Sequence, residues 1–457
     1  MNEPVPHAIT EIHHELTVKL IEHTREATAG ELPADVSELA RQCVLDWIGV
    51  AIGGCDDHLP HILLEEARAE GGEPVATVVG HAARVTASQA ALINGASSHV
   101  LDYDDVNLSL NGHPSAAILP GLLALAESRG ASGRELIAAF VNGYELGARV
   151  GLLVAPGHYA RGYHATCTVG SLGAAAACAR LLGLDVERTA HAVGIAATQA
   201  GGLKSMFGTE CKPFHAGVAA HNGLRAARLA AAGMIARGDI LECRQGFAAV
   251  MSPDFHPETA LADPARFYLR DNLFKYHASC YGTHASIEGV RQLREKNGLR
   301  PQDVERVKLR VDKGADAMCN IPNPRTALEA KFSLRFMTAA ALAGEDTSDL
   351  GFFTDERTAE PALCALRDKV SVDFATDRPK MVADVVVETK DGRTLRATLD
   401  SGVPGNDVAE QGRRLVAKFE RLVEPALGSE RCAKLKRLVQ DLERTPVAEL
   451  MAACGKV

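Results

Sequence analysis

The sequence is poor in large rings: aromatic residues make up only 5% of its 457 positions, with a single tryptophan. Hydrophobic residues still account for 46% of the chain, so Ala, Leu and Val must fill its core. Small side chains of this kind favour closely packed helices. The chain is also too long for one ordinary core, since domains cluster near roughly 100 to 200 residues. We therefore expect two domains.

Surplus positive charge, metal-binding cysteine pairs and long apolar runs are all absent. The formal net charge is -9, and the lysines and arginines are interspersed with acids, which argues against nucleic acid as a partner. The eleven cysteines form no CxxC pair, so neither a zinc site nor a disulfide framework is indicated. No run approaches the ~18 apolar residues of a membrane span, and residues 1–8 do not resemble a signal sequence. We expect a cytoplasmic, unprocessed protein that binds no membrane.

Helical periodicity dominates the first 250 residues, where apolar side chains recur three and four positions apart. Leu32-Pro33-Ala34-Asp35 opens one helix, and Gly53-Gly54 stops it. The other predicted helices cover 8–26, 61–69, 86–100, 116–127, 133–154, 168–182, 186–200, 407–421 and 429–454. The pattern predicts an all-helical domain over residues 1–265, completed by C-terminal helices within 405–457.

Between these helical regions, residues 266–404 predict a smaller α+β lid domain. Four segments are predicted as strands, and in 304–311 and 369–374 apolar and polar residues alternate, which is typical of half-buried strands. Lys390-Asp391-Gly392 carries the Asp-Gly signature of a tight hairpin between two of them. The strands are predicted at 304–311, 369–374, 383–389 and 393–399, with helices at 283–296, 327–342 and 360–368. We expect an antiparallel sheet covered by helices, and a mostly α protein overall.

Residues 201–217 are the least helix-like stretch of the first domain. They hold four glycines, Lys204, Lys212 and His215, and Pro213 suits the first turn of a helix whose N-terminus would attract an anion. The segment is either a carboxylate-binding loop or a connection with solvated lysines. Lys212, directly before the predicted helix start, is the candidate base or carboxylate anchor. Lys204 better fits a solvated loop residue.

Acidic and histidine side chains cluster at 99–113, where Asp102, Asp104 and Asp105 follow a predicted helix and His113 precedes the next. Three carboxylates cannot all be buried and ionised without partners, so they are either a solvated loop or held in a site. Asp105 best fits an exposed or capping acid.

Two further polar segments complete the candidates. Residues 158–166 place Arg161 and His164 before an Ala/Gly-rich helix, as anion-binding groups or as structural caps. Residues 275–284 lie near the inferred domain boundary, where small-molecule sites are common, or form a solvated linker with aromatic anchors. The candidates there are Lys275, His277, Cys280, Tyr281 and His284.

Together these groups suit proton abstraction next to a carboxylate of a small polycarboxylate. A desolvated lysine can act as a base, and histidine titrates near neutrality. There is no phosphate-binding glycine loop and no GxSxG motif. Lys212 and His164 are the first choices for the base.

Five motifs in order resemble the MmgE/PrpD family over nearly the whole chain. They are Asp102-Tyr103-Asp104-Asp105 with His113-Pro114-Ser115, Gly162-Tyr163-His164-Ala165-Thr166, Lys212-Pro213-Phe214-His215-Ala216-Gly217, Phe274-Lys275-Tyr276, and Glu329-Ala330-Lys331-Phe332-Ser333. The family includes 2-methylcitrate dehydratase, cis-aconitate decarboxylase and iminodisuccinate epimerase. The resemblance implies a large helical domain, a smaller α+β lid, a homodimer, and catalysis without metal or organic cofactor.

The resemblance also assigns roles. Asp102, His113, His164, Lys212 and Lys275 fall where the family places active-site groups. The resulting candidates are Lys212, His164, Asp102, His113 and Tyr281 as catalytic groups, and Lys275, Arg161, His215, Lys204, His277 and Cys280 as substrate-binding groups.

Two departures bear on the reaction. Val106 or Asn107 falls where the decarboxylase has a threonine, and Cys280 falls about where it has a catalytic histidine, for which His277 or His284 could substitute. These departures argue against a decarboxylase and leave an epimerase of the iminodisuccinate type as the best interpretation. The alternatives are a dehydratase of the 2-methylcitrate type, a cis-aconitate-type decarboxylase, and a non-catalytic carboxylate-binding protein.

Overall fold

A computed structural model describes residues 15–456 and divides the chain into two compact units. The helical unit contains the residues up to Val100, Asp104–Asn272, and the residues from Asp407 onward. The α+β unit contains Leu101–Tyr103 and Leu273–Asn406.

Among residues 15–272, the helical unit contains twelve α-helices and one short ribbon, β1 (Ala76–Thr77) with β2 (Arg84–Val85). The helices are α1 Leu16–Ala27, α2 Ala34–Gly53, α3 His58–Glu70, α4 Ala87–His99, α5 Pro114–Arg129, α6 Gly133–Val154, α7 Gly157–Ala160, α8 Ala165–Leu181, α9 Val186–Ala197, α10 Cys211–Ala231, α11 Phe247–Met251 and α12 Pro257–Leu261.

Most of the predicted helices are confirmed within a few residues. The part of the first prediction over residues 8–14 lies outside the described residues. The expectation of a purely helical unit is wrong at residues 76–79, where Ala76 pairs with Val85 and Thr77 with Arg84 in an antiparallel ribbon. The mostly α fold class is confirmed.

Close packing of α4 against α10 depends on glycine. A Cβ atom added to Gly95 would lie 2.6 Å from the Cα atom of Gly217, which is far inside van der Waals contact. Glycine at both positions lets the two backbones approach in a way that larger side chains would prevent. This contact lies one helical turn from His99 on α4 and within two turns of Lys212 on α10.

The α+β unit contains four strands, β3 Val304–Asp312, β4 Val370–Ala375, β5 Val382–Thr389 and β6 Thr394–Asp400, in the order β4-β3-β5-β6. Its helices are α13 His284–Asn297, α14 Gly314–Cys319, α15 Ala327–Ala330, α16 Leu334–Ala343, α17 Asp355–Thr358 and α18 Pro361–Arg367. Three helices, α19 Val408–Leu427, α20 Ser429–Gln440 and α21 Val447–Cys454, return the chain to the helical unit.

The expectation of an antiparallel sheet is wrong for one pair of strands. β3 and β4 are parallel, whereas β3–β5 and the predicted β5–β6 hairpin are antiparallel. Parallel strands need a long crossover, and α14–α18 between β3 and β4 supply it. The alternation of side chains is the same in both cases, so it cannot distinguish them.

The predicted helix over 327–342 is also divided. α15 ends at Ala330, and a new helix starts after Ser333, whose side chain accepts a hydrogen bond from the backbone N–H of Phe336. A serine in this position is a strong N-cap, so the local capping interaction overrides the continuous apolar pattern.

Helix α6, Gly133–Val154, is long and apolar enough to cross a membrane by length and composition alone. However, 89% of its most apolar stretch is buried inside the structure. Burial of this extent is typical of a core helix in a globular protein.

Candidate active site

Three helices of the helical unit begin at candidate residues. His113 is the N-cap residue of α5, His164 is the N-cap residue of α8, and Lys212 is the second residue of α10. Helix N-termini carry unpaired N–H groups and a positive dipole end, which favour an anion. These three basic side chains therefore lie at helix ends that favour the binding of a carboxylate.

The starts of α5 and α8 are joined directly. The backbone N–H of His113 donates to Thr166 Oγ1 at 3.2 Å. A Cβ atom added to the preceding Gly112 would lie 2.7 Å from the same hydroxyl oxygen, so only glycine allows this approach. The contact brings His113 into the same cluster as His164.

His99, Asp104 and His113 form a buried chain of polar contacts. His99 Nδ1 donates to both carboxylate oxygens of Asp104 at 2.9 Å. His113 Nδ1 lies 3.0 Å from Asp104 Oδ2, and the centres of the two imidazole rings are 4.5 Å apart. Asp104 is 1% exposed, so it is a partnered buried acid, and the solvated-loop alternative is wrong for it.

Asp105, the next residue, has different hydrogen-bond partners. Its carboxylate accepts hydrogen bonds from the backbone N–H of Ser115 at 3.2 Å and from the Ser115 hydroxyl at 2.6 Å, which caps the start of α5. The side chain is fully buried, so the exposed alternative is wrong and the capping alternative describes it. Burial raises the pKa of Asp105 to about 7.

His164 and His215 are hydrogen-bonded to each other. Their Nδ1 atoms are 3.1 Å apart, and both side chains are buried. Burial, with the neighbouring His99 and the charge of Lys212, holds the pKa of His164 well below its usual value. Burial and Lys212 also lower the pKa of His215. Both imidazoles are therefore neutral at pH 7, and one donates its Nδ1–H to the other.

Phe207 covers this pair from the loop before α10. Its ring lies edge-on to His164 with 5.0 Å between ring centres, and Lys212 Nζ is 5.6 Å from the Phe207 ring centre. Gly202 and Gly208 on either side of the loop take left-handed φ values of 106° and 85°. Only glycine adopts these angles readily, so the loop conformation depends on both.

Lys204 and Arg161, two predicted binding residues, make their contacts with other residues of the helical unit. Lys204 Nζ donates to the Tyr159 carbonyl at 3.1 Å and stands 3.7 Å from the Tyr159 ring centre. Arg161 is exposed and donates to the Val250 carbonyl at 3.1 Å. Lys204 is therefore not simply solvated, because it makes a specific contact with Tyr159.

The α+β unit holds the candidates Asp102 and Lys275. Lys275 is completely buried and its Nζ donates to the Asp102 carbonyl at 2.7 Å and to its carboxylate at 2.9 Å. Asp102 takes a left-handed φ of 50°, which is uncommon for a residue with a side chain. The same segment accepts a hydrogen bond from Lys331 Nζ at the Leu101 carbonyl, at 3.0 Å. Two lysines thus hold a strained turn.

The segment after Lys275 is a second histidine cluster. His277 contacts Thr347 Oγ1 at 2.7 Å and Glu288 Oε1 at 2.8 Å. Tyr281 donates its hydroxyl proton to the Ser401 carbonyl at 2.5 Å. The solvated-linker alternative is wrong, because His277 and Tyr281 are both buried.

His284 and Cys280 differ in the contacts that their side-chain nitrogen and sulfur atoms make. The Nε2 atom of His284 is buried without a hydrogen-bond partner among the described residues, and burial, His277 and Lys275 hold its pKa well below the usual value. Cys280 is buried beside Cys319, whose thiol pKa is raised by this contact and by burial. His284 is therefore the neutral imidazole with free capacity in this unit.

Sequence reasoning placed His99 and Asp104 in a polar cluster but gave neither a role, and it missed Phe207. His99 is the last residue of a buried, Ala-rich helix, and a histidine there is a visible departure from the apolar pattern. Phe207 is one of 13 phenylalanines and stands in a glycine-flanked polar loop, which was the available signal.

Two groups of side chains in the helical unit bring possible metal-ligand atoms together. Cys55, Asp56 and His81 bring ligand atoms within 4.8 Å of one another, and Asp56 also pairs with Lys456 at 3.3 Å. In the His99–Asp104–His113 chain, both oxygens of Asp104 already accept hydrogen bonds from His99 Nδ1, and His113 Nδ1 lies 3.0 Å from one of them. We assign no metal to either group.

The fold and site define a mostly helical protein with a small α+β unit and a buried histidine and lysine cluster. Two family models match the chain: the MmgE/PrpD N-terminal domain over residues 18–260 and the MmgE/PrpD C-terminal domain over residues 277–444. The chain belongs to the MmgE/PrpD family, and the resemblance drawn from its five motifs is confirmed.

Curated relatives cover most of this chain. It is 28% identical to a cis-aconitate decarboxylase-like protein of Aspergillus oryzae, over 96% of each chain. It is 28% identical to the cis-aconitate decarboxylase of Homo sapiens, over 91% of this chain and 89% of the relative. It is 24% identical to that of Aspergillus terreus, over 95% and 96%. Similarity therefore extends across both units.

Proposed function

We propose that this protein is a carbon–carbon lyase that removes CO2 from cis-aconitate or a closely similar unsaturated polycarboxylate. Relatives that span both units carry this activity in their names. The observation that carries the proposal is the cluster of His113, His164, His215 and Lys212 at three helix starts, with His99 at the end of α4, in a chain whose net charge is -9. A multiply charged anion is the ligand such a cluster favours.

Decarboxylation of this kind needs a proton donor. The bond between the leaving carboxylate and its carbon breaks, its electron pair moves into the carbon skeleton, the double bond shifts, and a proton adds at the far carbon. A neutral histidine pair provides the donor, because the imidazole that accepts at Nδ1 carries its own proton on Nε2. The His164–His215 pair has this arrangement whichever of the two is the acceptor.

Lys212 is the anchor for a remaining carboxylate. It is buried at the start of α10, where its ammonium charge adds to the helix dipole. Its charge also lowers the pKa values of His99, His164 and His215, although burial is the larger cause for each. Lys212 thus acts both on the substrate and on the histidines that transfer protons.

An epimerase remains the second candidate because of Cys280. This buried thiol stands about where the motif resemblance expects a histidine, and its neighbour His284 has an unused, buried Nε2 atom. A proton donor other than histidine at this position would suit an epimerase, because its substrate exchanges a proton and loses no carboxylate. The relatives favour the decarboxylase over the epimerase, so we rank it second.

The test incubates the purified protein in D2O with cis-aconitate, with iminodisuccinate stereoisomers and with 2-methylcitrate in parallel. Proton NMR and CO2 release distinguish the reactions. A decarboxylase releases CO2 from cis-aconitate and places one deuterium on the carbon that receives the proton. Deuterium exchange into iminodisuccinate without CO2 would instead establish the epimerase, and loss of water from 2-methylcitrate the dehydratase.

Lys212→Ala distinguishes an enzyme from a carboxylate-binding protein. An enzyme should keep its fold and lose most of its rate, by about 10²-fold or more. A binding protein would lose affinity for cis-aconitate in calorimetry and have no turnover to lose. Lys308→Ala, at an exposed strand position, is the matched lysine control and should change neither property.

A further inference from the structure

We propose that Asp104 is the positioning residue of the site: it holds the His113 imidazole in one tautomer, and His99 is the second donor that fixes Asp104. This inference deepens the proposed function, since it depends on the histidine and lysine cluster being the reaction site. It gives roles to Asp104 and His99, two residues that the motif resemblance leaves without one.

Asp104 cannot itself reach a substrate. It is 1% exposed, and both of its oxygens lie 2.9 Å from His99 Nδ1, while Oδ2 also lies 3.0 Å from His113 Nδ1. An ionised carboxylate accepts hydrogen bonds and donates none. His99 therefore donates its Nδ1–H to Asp104, and His113 turns the same nitrogen toward the carboxylate at 3.0 Å, so each ring in its neutral Nδ1–H form keeps a lone pair on Nε2.

Electrostatics keep Asp104 ionised in this environment. Burial by itself raises a carboxyl pKa, but His113 and His99 outweigh it and hold the pKa of Asp104 well below the usual range. Burial lowers the pKa of His99 to about 4, so His99 is a neutral donor at pH 7 and not a counter-ion. The carboxylate thus accepts hydrogen bonds from His99 on one side and has His113 Nδ1 within 3.0 Å on the other.

The two histidines differ in access. His99 is 1% exposed, and its Nε2 atom is buried with no hydrogen-bond partner among residues 15–456. The His113 side chain is 12% exposed and stands at the open start of α5. The Nε2 lone pair of His113 is therefore the one available to accept a proton, and His99 acts through Asp104.

Backbone contacts support the same assignment. The loop that carries His113 is closed by a bridge between Asn107 and Gly112, and Asn107 Oδ1 accepts from the backbone N–H groups of Ser109 and Leu110. The loop fixes the Cα position of His113, but its ring can still rotate about the side-chain bonds. Asp104 supplies the contact that fixes the ring.

The first experiment measures tautomers without turnover. In protein labelled with 15N-histidine, NMR at pH 7 should show His99 and His113 with a proton on Nδ1, assigned with His99→Gln and His113→Gln. In Asp104→Asn, at least one ring should move to the Nε2–H form. Nε2-protonated rings in the unchanged protein would overturn the proposal, whatever the substrate proves to be.

The second experiment measures turnover of cis-aconitate. Asp104→Asn should lower kcat by about 10² to 10⁴-fold with little change in KM, since orientation matters most in the transition state. Asp105→Asn is the matched control, because this neighbour is equally buried but bonded to Ser115, and it should keep the wild-type rate at pH 7. A rise in KM with unchanged kcat for Asp104→Asn would contradict a positioning role.

Substitutions of His99 test the second donor. The amide nitrogen of Asn can occupy the place of Nδ1 and still donate to Asp104, whereas Gln reaches toward the Nε2 position and Leu donates nothing. We expect His99→Asn to stay within about tenfold of wild type, and His99→Gln and His99→Leu to lose activity as Asp104→Asn does. Full activity in His99→Leu would show that the site does not need His99 as a second donor to Asp104. If wild type shows no turnover, the proposed function fails while the tautomer result still stands or falls by itself.

Discussion

The Nδ1 atoms of His164 and His215 face each other at 3.1 Å, and lowered pKa values keep both rings neutral. One ring must donate and the other accept. The donor then carries its lone pair on Nε2, and the acceptor carries its proton there. A single hydrogen bond therefore gives the pair one basic and one acidic nitrogen at neutral pH, without a charged group.

Substitution of His215 tests this pairing. His215→Asn keeps an amide near the Nδ1 position and should retain part of the activity, whereas His215→Leu leaves His164 Nδ1 buried without its partner. We expect kcat to fall by about 10²-fold or more in His215→Leu and by clearly less in His215→Asn. Steady-state kinetics with cis-aconitate measure both. Equal losses in the two variants would mean that His215 serves by shape alone.

Asp105 gives a prediction for stability against pH. Its pKa rises from 3.8 in the unfolded chain to about 7 in the fold, because burial opposes its charge. The folded state therefore binds the extra proton, and this contribution is fully present below pH 3.8 and is lost as the pH rises through 7. Relative to Asp105→Asn, the wild-type free energy of unfolding should fall by up to about 1.4 kcal/mol per pH unit between these limits.

Denaturant unfolding of both proteins from pH 4 to 8 checks this difference. Asn keeps an acceptor for the Ser115 N–H and a donor for its hydroxyl, so the variant should fold. Glu66→Gln, at an exposed position of α3, should follow the wild-type profile. A wild-type profile parallel to that of Asp105→Asn would show that Asp105 ionises normally.

Phe207 should influence substrate size and binding. The ring contacts His164 and stands near Lys212, so Phe207→Ala opens space beside both groups. We expect KM for cis-aconitate to rise and activity toward alkyl-substituted analogues to increase relative to cis-aconitate, by about tenfold at most. Met206→Ala, at the exposed neighbouring position, is the control. An unchanged ratio between the two substrates would exclude Phe207 from specificity.

The Lys275–Asp102 pair should stabilise the α+β unit. Removal of one partner from a buried ion pair costs about 3–5 kcal/mol, whereas an exposed pair contributes under about 1 kcal/mol. Lys275→Met should therefore destabilise strongly, and Lys308→Met, which breaks an exposed pair with Glu388, should not. The double variant Lys275→Met with Asp102→Asn should recover part of the loss in chemical denaturation. A loss no larger than that of Lys308→Met would contradict this assignment.

Short-range chemistry was readable from the sequence. Helical periodicity located α6 at its observed limits, and Asp391-Gly392 located the hairpin between β5 and β6. Pro213 marked the start of α10 within two residues, since the helix begins at Cys211 and includes Lys212. Each of these signals acts between residues a few positions apart. The Ser333 cap is also local, but a continuous apolar pattern concealed it.

The sequence by itself determined the family, the mostly helical fold class and the residue types available for chemistry, because motifs, periodicity and composition are properties of the chain in order. It singled out Asp105 as an exposed or capping acid, but it gave the adjacent Asp104 no partner. Tertiary structure decided that one binds two histidines and the other caps α5. The reason is physical: neighbouring side chains outside a regular element point in directions set by packing, and the partners they meet come from helices brought together only in the folded core.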